Sequence, residues 1–376
     1  MRKSIKRILL IALICLVFFV PQVKATSDTY EFTVKGTRDY EQAYRVAELV
    51  NEERRKAGLS EYTLEESLTE CAMIRAAELV AHYDGTHHRP NGEVCWTVLP
   101  EGTFLAAGEN IAQHQQSAEQ VMTDWMNSPG HKANILDENG YGLDTMGIGC
   151  FESELGYYYW VQIFTKSTAG SLEQKQENRY VEEVVEMKYG ILPFWDVKDT
   201  DYYYEAICYN VANKYILGYN AHKFGPTAKM NRAMFVTILW RMEGEPEVTG
   251  DKTLSDIKAG EYYEKAVKWA VNTGVVNGYG DGTFKPDKNI SRQDIVVILR
   301  NYLTYKGIDV NVKNDGTYNK FVDTNKVDDY AKDSVMWAVE NKVINGKTEN
   351  NKLYIDPQGV SIRGDVACIL YNYYGQ

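Results

Sequence analysis

A unit of about 60 to 70 residues written three times in succession leaves few folds open, and the chain carries one across about 180 residues from Phe194 onward. Each copy opens with an aspartate: Asp196, Asp256 and Asp323. An aromatic cluster follows, spanning residues 202–207, 262–267 and 330–335, and a glycine turn at Gly218, Gly278 and Gly346 closes that segment. Pro226, Pro286 and Pro357 come next; six residues beyond each stands an arginine, Arg232, Arg292 and Arg363, and seven further a leucine, Leu239, Leu299 and Leu370. The unit reads as helix, loop, helix. One such pair cannot bury its own apolar face, so the copies must stack or close on one another.

The arginines sit oddly. Asn231, and Ser291 with Asp294 three residues on, are N-cap chemistry, which puts Arg232 and Arg292 at the first helical position. A cation at that end opposes the helix dipole by roughly 0.3–1 kcal/mol at an exposed site. Two explanations are open. The arginine pairs with its own copy's carboxylate, Asp294 or Asp365, or it joins free N–H groups at the helix start in an anion site; the second is favoured.

The first 25 residues read as a secretory leader: Arg2, Lys3, Lys6 and Arg7, an apolar run at 8–20, then Val23-Lys24-Ala25. That run is shorter than the roughly 20 residues of a membrane span, and no later stretch is long and apolar enough. The leader holds five basic and no acidic residues, so cleavage after Ala25 moves the formal charge from −11 to −16. Such a surface disfavours nucleic acid. Cys71, Cys95, Cys150, Cys208 and Cys368 remain, an odd number at irregular spacing, which is not a disulfide framework; buried free thiols are expected.

Residues 38–168 read as an α/β unit. Tyr40, Ala43, Ala47 and Val50 fall at helical spacing, as do Leu64, Leu68, Cys71, Ala72 and Leu79, whereas 147–149 and 157–164 look like strands. A spacer rich in Gln, Glu and Lys follows, and residues 169–191 are taken as a linker. Four of the six histidines lie between Tyr83 and His131, three of them in the runs Thr-His-His-Arg-Pro-Asn-Gly (86–92) and Trp-Met-Asn-Ser-Pro-Gly-His (125–131), with Gly-Glu-Asn-Ile (108–111) between the runs. Spacing alone does not make these a metal site.

Two resemblances carry the reading further. Phe-Trp-Asp-Val (194–197), Gly-Tyr-Gly-Asp-Gly-Thr-Phe-Lys-Pro (278–286) and Ser-Arg-Gln-Asp (291–294) resemble S-layer homology (SLH) modules of Gram-positive bacteria. The resemblance implies an all-α, pseudo-threefold helical bundle with copies at 192–248, 251–308 and 318–376. It also implies attachment to secondary cell-wall polysaccharide, a pyruvylated glycan, through Arg232, Arg292, Asp294, Arg363 and Asp365, with Trp195, Trp269 and Trp337 as stacking platforms or core. Copy one reads Asn-Arg-Ala-Met and lacks the acid, and copy three reads Ile-Arg-Gly-Asp and lacks the hydroxyl, so copy two is the expected working groove.

The histidine runs, with Asn51 and Arg54, Arg75-Ala-Ala-Glu78, Asn134-Ile-Leu136 and Tyr159-Trp-Val-Gln162, resemble the CAP superfamily, or SCP domain. That resemblance implies an α-β-α sandwich, and hence an α+β chain overall, with a cleft where His87, Glu109 and His131 converge and can hold a divalent metal such as zinc. Ser128 stands at the position of a second glutamate, and His88 is a substitute ligand to consider. The function expected is a secreted cell-surface protein, anchored non-covalently to the wall and displaying the CAP domain as a non-catalytic ligand-binding module; a metal-dependent hydrolase is the alternative.

Overall fold

A computed structural model describes residues 28–102, 104–167 and 175–375; the leader lies outside them. The N-terminal unit is built on strands β1 (Thr29–Arg38), β2 (Thr63–Leu64), β3 (Phe104–Gln113), β4 (Thr145–Ser153), β5 (Tyr158–Ser167) and β6 (Arg179–Lys188). Its helices are α1 (Tyr40–Lys56), α2 (Glu66–Ala81), α3 (Ala118–Asn127) and α4 (Pro129–Leu136). The sheet runs β3-β5-β4-β1-β6, antiparallel throughout, with β2 parallel to β4.

Alternation along β4 and β5 decides which layer each residue serves. Met146, Ile148, Cys150, Trp160 and Phe164 pack with Tyr40, Val46 and Val50 of α1, Val121 and Trp125 of α3, and Ile135 of α4. Phe151, Tyr159, Val161 and Ile163 pack with Leu68, Ala72, Ala76 and Leu79 of α2. Gly147 and Gly149 let α2 lie directly on β4: a Cβ there would come within 2.2 Å of Leu68 carbonyl carbon and 2.1 Å of Ala72 carbonyl oxygen.

The sheet extends past both expected limits of this unit. β6 falls inside the stretch 169–191 read as a linker and pairs with β1 over its whole length. The linker reading rested on the Gln-, Glu- and Lys-rich run at about 171–179 and was carried on to 191, yet Glu182, Glu183 and Glu186 bond Lys35, Arg38 and Thr29 on β1. The four cysteines Cys71, Cys95, Cys150 and Cys208 are buried thiols and Cys368 is half-buried, all unpaired as expected.

The C-terminal copies are helix pairs: α5 (Tyr204–Ala212) with α6 (Arg232–Met242), α7 (Glu264–Thr273) with α8 (Arg292–Tyr305), and α9 (Lys332–Glu340) with α10 (Arg363–Tyr374). Each copy's second helix packs on the first helix of the next: α6 on α7, α8 on α9, α10 on α5. Their centre is a triangle of backbone bonds, Met230 N to Ser361 O at 2.8 Å, Ile290 N to Met230 O at 2.9 Å and Ser361 N to Ile290 O at 3.1 Å. The unit is not wholly helical, because β7 (Lys347–Glu349) and β8 (Lys352–Tyr354) form a hairpin in copy three. Two residues in left-handed conformation, Asn350 and Asn351, make its turn.

The arginines serve a purpose that neither sequence explanation had. Arg232 Nε donates to Phe284 O (3.0 Å), Arg292 Nε to Ile355 O (2.9 Å) and Arg363 Nε to Phe224 O (3.0 Å), always a loop of the next copy. The backbone N–H groups at the helix start are not free. Those of Arg232 and Ala233 go to Lys288 O and Pro286 O, those of Arg292 and Gln293 to Gly359 O and Pro357 O, and those of Arg363 and Gly364 to Ala228 O and Pro226 O. Asp294 and Asp365 accept from Tyr330 (2.7 Å) and Tyr202 (2.6 Å) of the following copy.

The two units share one core, which runs from α2 and β1 into the copies. Phe32 meets Phe194 edge-on at 6.0 Å, and Trp195 stacks on buried His222 at 4.1 Å with Tyr157 of β4–β5 at 5.6 Å. Trp269 and Trp337 are buried, so they are core; Trp195 is 57% exposed but already stacked.

Asp323 is buried, and it accepts from Ile355 N (2.9 Å) and Asp356 N (2.8 Å). Asp323→Ala strips both, at about 1–3 kcal/mol for each buried donor left unmet. Urea unfolding followed by tyrosine and tryptophan fluorescence is expected to show the C-terminal unit destabilised by at least about 2 kcal/mol; a loss below about 0.5 kcal/mol would show that the loop needs no such anchor.

Candidate functional site

The site is assembled by the layers just described. α2 supplies Arg75 and Glu78, β3 supplies Glu109 and Asn110, the loop after α2 supplies His87, a short 3₁₀ turn supplies Cys95, and α4 supplies His131. α4 is positioned from below. Arg54 donates to Ile135 O (2.8 Å) and lies 3.5 Å over the Tyr62 ring, while Tyr62 OH donates to Asn134 O (3.1 Å). Asn110, fully buried, donates to His131 O (3.1 Å) and Gln162 Oε1 (2.8 Å), and accepts from Asn134 (2.9 Å). Asn51 holds Tyr62 in turn, donating to its O (3.0 Å) and accepting from its N (2.9 Å), so Asn51, Arg54 and Asn134 are scaffolding for the cleft.

Glu109 is the centre. Its side chain is 1% exposed, its Oε1 accepts from Arg75 Nε at 3.0 Å and its Oε2 meets His87 Nδ1 at 2.7 Å. Arg75 is wholly buried and also donates to Glu78 Oε2 (2.7 Å), and Glu78 in turn takes Arg89 at 2.6 Å. Burial alone would raise the Glu109 pKa, but the His87 bond and the Arg75 guanidinium outweigh it and hold the carboxyl below the usual range. His87 is raised, chiefly by its bond to Glu109. His131, half-buried, is lowered by burial and by the nearby charge of His87.

His87 and Glu109 are thus brought together as expected, with His131 close enough to feel His87 electrostatically. Ser128 ends α3 and begins α4, where its backbone N–H donates to Trp125 O (3.1 Å); its hydroxyl makes no capping bond. His88 pairs with Val94 in an isolated bridge. Among the described residues, the group with metal-ligand potential is His87, Cys95 and Glu109, whose ligand atoms all lie within 4.8 Å of one another. Cys95 was read from the sequence only as a buried thiol. Nothing in its spacing marks it, because a backbone bond, Cys95 N to His87 O at 3.0 Å, creates the juxtaposition.

On the second unit, Arg292 lines a groove of about 470 Å³ together with Tyr202, Asn345, Lys347, Asp365 and Asn372, so all three copies contribute to it. Arg232 lies 5.0 Å from the Tyr279 ring centre and 4.9 Å from that of Phe284, and Arg363 lies 4.7 Å from both Tyr219 and Phe224. Arg363 Nη2 also donates to Leu217 O at 2.6 Å.

Residues 47–164 match the CAP model, the cysteine-rich secretory protein family, and residues 253–296 and 320–365 match the S-layer homology domain. The chain therefore carries a CAP domain and SLH domains. It is 33% identical over 111 residues to "Uncharacterized protein YkwD" of Bacillus subtilis, covering 29% of this chain and 42% of that one. It is 30% identical over 146 residues to the surface-layer 125 kDa protein of Lysinibacillus sphaericus, covering 39% of this chain and 12% of that one. Among solved structures, an outer surface protein from Borrelia burgdorferi is similar over 34% of this chain and 94% of its own, at 21% identity and a TM-score of 0.31. The chain thus spans less than half the length of these curated relatives. Among the described residues no helix is long and apolar enough to cross a membrane.

The His87–Glu109 bond has a pH window. His87 is raised from 6.5, so its stabilising contribution is complete below that value and fades as pH rises through the raised one. Glu109 is lowered from 4.5, so its contribution is complete above that value and fades as pH falls through the lowered one. In thermal scans, the midpoint difference between wild type and His87→Ala is expected to be largest between pH 4.5 and 6.5 and to shrink on either side. A difference that stays flat with pH would detach His87 from Glu109.

Proposed function

We propose that the protein is displayed at a bacterial cell surface, where the three C-terminal copies act as SLH modules holding it non-covalently to a secondary cell-wall polysaccharide, while the CAP domain presents its cleft to a ligand outside. Copy one, outside the two matched segments, makes two of the three arginine-to-carbonyl bonds that link the copies, one to each of the others, which supports counting it as a third module. Relatives named as a surface-layer protein and a cellulosome-anchoring protein fit the same placement.

The observation that carries the anchoring claim is the groove at Arg292. A guanidinium, Lys347 and the amides of Asn345 and Asn372 line one space with Asp365 and Tyr202, a donor-rich set suited to a sugar acid such as a pyruvyl ketal. The other two arginines lie against aromatic rings. Arg292, Asp365 and the second interface are therefore the expected binding residues, with Arg232, Asp294 and Arg363 mainly holding the ring. A chain of net charge −11 gains nothing from long-range attraction to an acidic glycan, so recognition rests on local groups.

For the CAP cleft we favour a non-catalytic binding role. Both Glu109 oxygens are engaged and its pKa is held low, which makes it a weak general base near neutrality. The hydrolase alternative draws its support from the His87, Cys95 and Glu109 group.

Co-sedimentation with purified walls tests the anchoring. Wild type is expected to pellet with untreated walls and to stay in solution once the ketal groups are removed; failure to pellet with untreated walls would end the claim. Arg292→Ala is expected to weaken wall binding at least about tenfold and more than Arg232→Ala, with urea midpoints of both variants measured alongside to separate binding from folding. Equal losses would move the groove elsewhere.

A further inference from the structure

We infer that the corner where β3 turns into α3 is a ligand site of its own, separate from the cleft at Glu109 and from the groove at Arg292, and that it takes a segment of an uncharged glycan. It depends neither on the wall-anchoring reading nor on what the cleft does.

A polar hollow of about 540 Å³ lies over the start of α3, lined by Gln113, Gln115, Gln120, Thr123 and Asp124, with His114 and Glu119 beside them. Gln113 and His114 also line a second hollow, of about 200 Å³, which reaches Tyr159 of β5 and Trp195 of copy one. The two hollows therefore meet at this pair of residues. His114 holds the joint at a cost, because its φ of 76° lies in the left-handed region that a side chain rarely adopts. Two bonds fix it there: its N–H donates to Tyr158 O at 2.7 Å, and its carbonyl accepts from Gln116 Nε2 at 3.0 Å. Strain kept in place by its surroundings is a mark of sites with a task. Its effect here is an exposed imidazole 5.1 Å from the Tyr157 ring, which in turn lies 5.6 Å from Trp195.

The lining selects the ligand. Trp195 lies flat on buried His222, at 12° and 4.1 Å, and is still 57% exposed, so one indole face is clamped and the other is offered to solvent. With Tyr157 and His114 it forms a row of rigid rings, suited to the apolar C–H faces of sugars and ordered before any ligand arrives. Beside the row stand amides and a carboxylate, which give and take hydrogen bonds with hydroxyl groups. Gln115 Nε2 donates to Asp124 at 2.9 Å, while Gln115 Oε1 is shut off from water without any partner, an unmet acceptor in the floor that a ligand donor would satisfy. No lysine or arginine is among the described residues lining either hollow, and Glu119 is already bonded by Arg45 at 2.8 Å. Asp124 is left as the local charge, so acidic sugars are repelled and hydroxyl donors are favoured. The groove at Arg292 has the opposite character, being rich in donors.

Calorimetric titration of the full chain with tri-N-acetylchitotriose and with cellotriose tests the site, and tryptophan emission locates it, because Trp195 is the exposed tryptophan among the described residues. At least one of these neutral trisaccharides is expected to bind saturably and to shift the emission to shorter wavelength, and the one preferred shows whether acetamido groups are read. Trigalacturonate, equally long but acidic, is expected to bind at least about tenfold more weakly. Asp124→Ala and Tyr157→Ala should each lower affinity at least about tenfold. His131→Ala in the cleft and Lys347→Ala in the groove should leave it within about twofold. Failure of both neutral sugars to bind, equal binding of trigalacturonate, unchanged affinity in Asp124→Ala, or a tenfold loss in His131→Ala or Lys347→Ala would each overturn the inference. Near-ultraviolet circular dichroism checks the folding of every variant. Should Asp124→Ala fail to fold, Gln120→Ala takes its place with the same expected loss, and unchanged affinity there would equally overturn it.

Discussion

Three residues, Phe224, Phe284 and Ile355, are each held through both their backbone N–H and their carbonyl. The N–H of each goes to the opening aspartate of its own copy, Asp196, Asp256 or Asp323, at 2.8 to 2.9 Å. The carbonyl takes the arginine of the preceding copy at 2.9 to 3.0 Å. Because copy three reaches back to copy one, the chain of bonds closes. A charge-assisted bond of this buried kind contributes about 1.5–3 kcal/mol, and leaving its acceptor unmet costs about as much, so no copy can be lost without exposing orphaned groups in two others. The arginine's position at the helix start, unfavourable for the dipole, is accounted for by the carbonyls of the neighbouring loop that meet it there.

Closure also makes the copies unequal as surfaces. Where the next loop carries an aromatic pair, as at Tyr279 and Phe284 or Tyr219 and Phe224, the guanidinium lies against the rings. Copy three instead has Ile355 and the hairpin of β7 and β8, and the second interface opens into the groove at Arg292. Similar scaffolding thus leaves one interface open as a groove.

The CAP cleft follows a similar logic at smaller scale. Buried charges are tolerated when paired and hydrogen-bonded. Arg75 and Arg89 are matched by Glu78 and Glu109, and the network presents His87 and Cys95 at its rim. The aromatic contacts of Tyr157, Trp195 and His222 join this unit to the first copy, and β6 leads the sheet into that junction.

The repeat, its helix pairs and the leucines on their buried faces were legible in the sequence because apolar periodicity is local, and so were α1 and α2; the meeting of His87 and Glu109 was expected only from the family resemblance, since their spacing does not show it. β6 was not: its glutamates are indistinguishable from a spacer until β1 lies beside them. Nor was the role of Arg232, Arg292 and Arg363, whose acceptors sit 52, 63 and 139 residues away along the chain. Cys95 became part of the cleft only through a backbone bond to His87. The sequence by itself determined which segments become helices and which residue types recur; tertiary structure decided what each recurring residue touches, since a hydrogen-bond partner is fixed by closure in space and leaves no period in the chain.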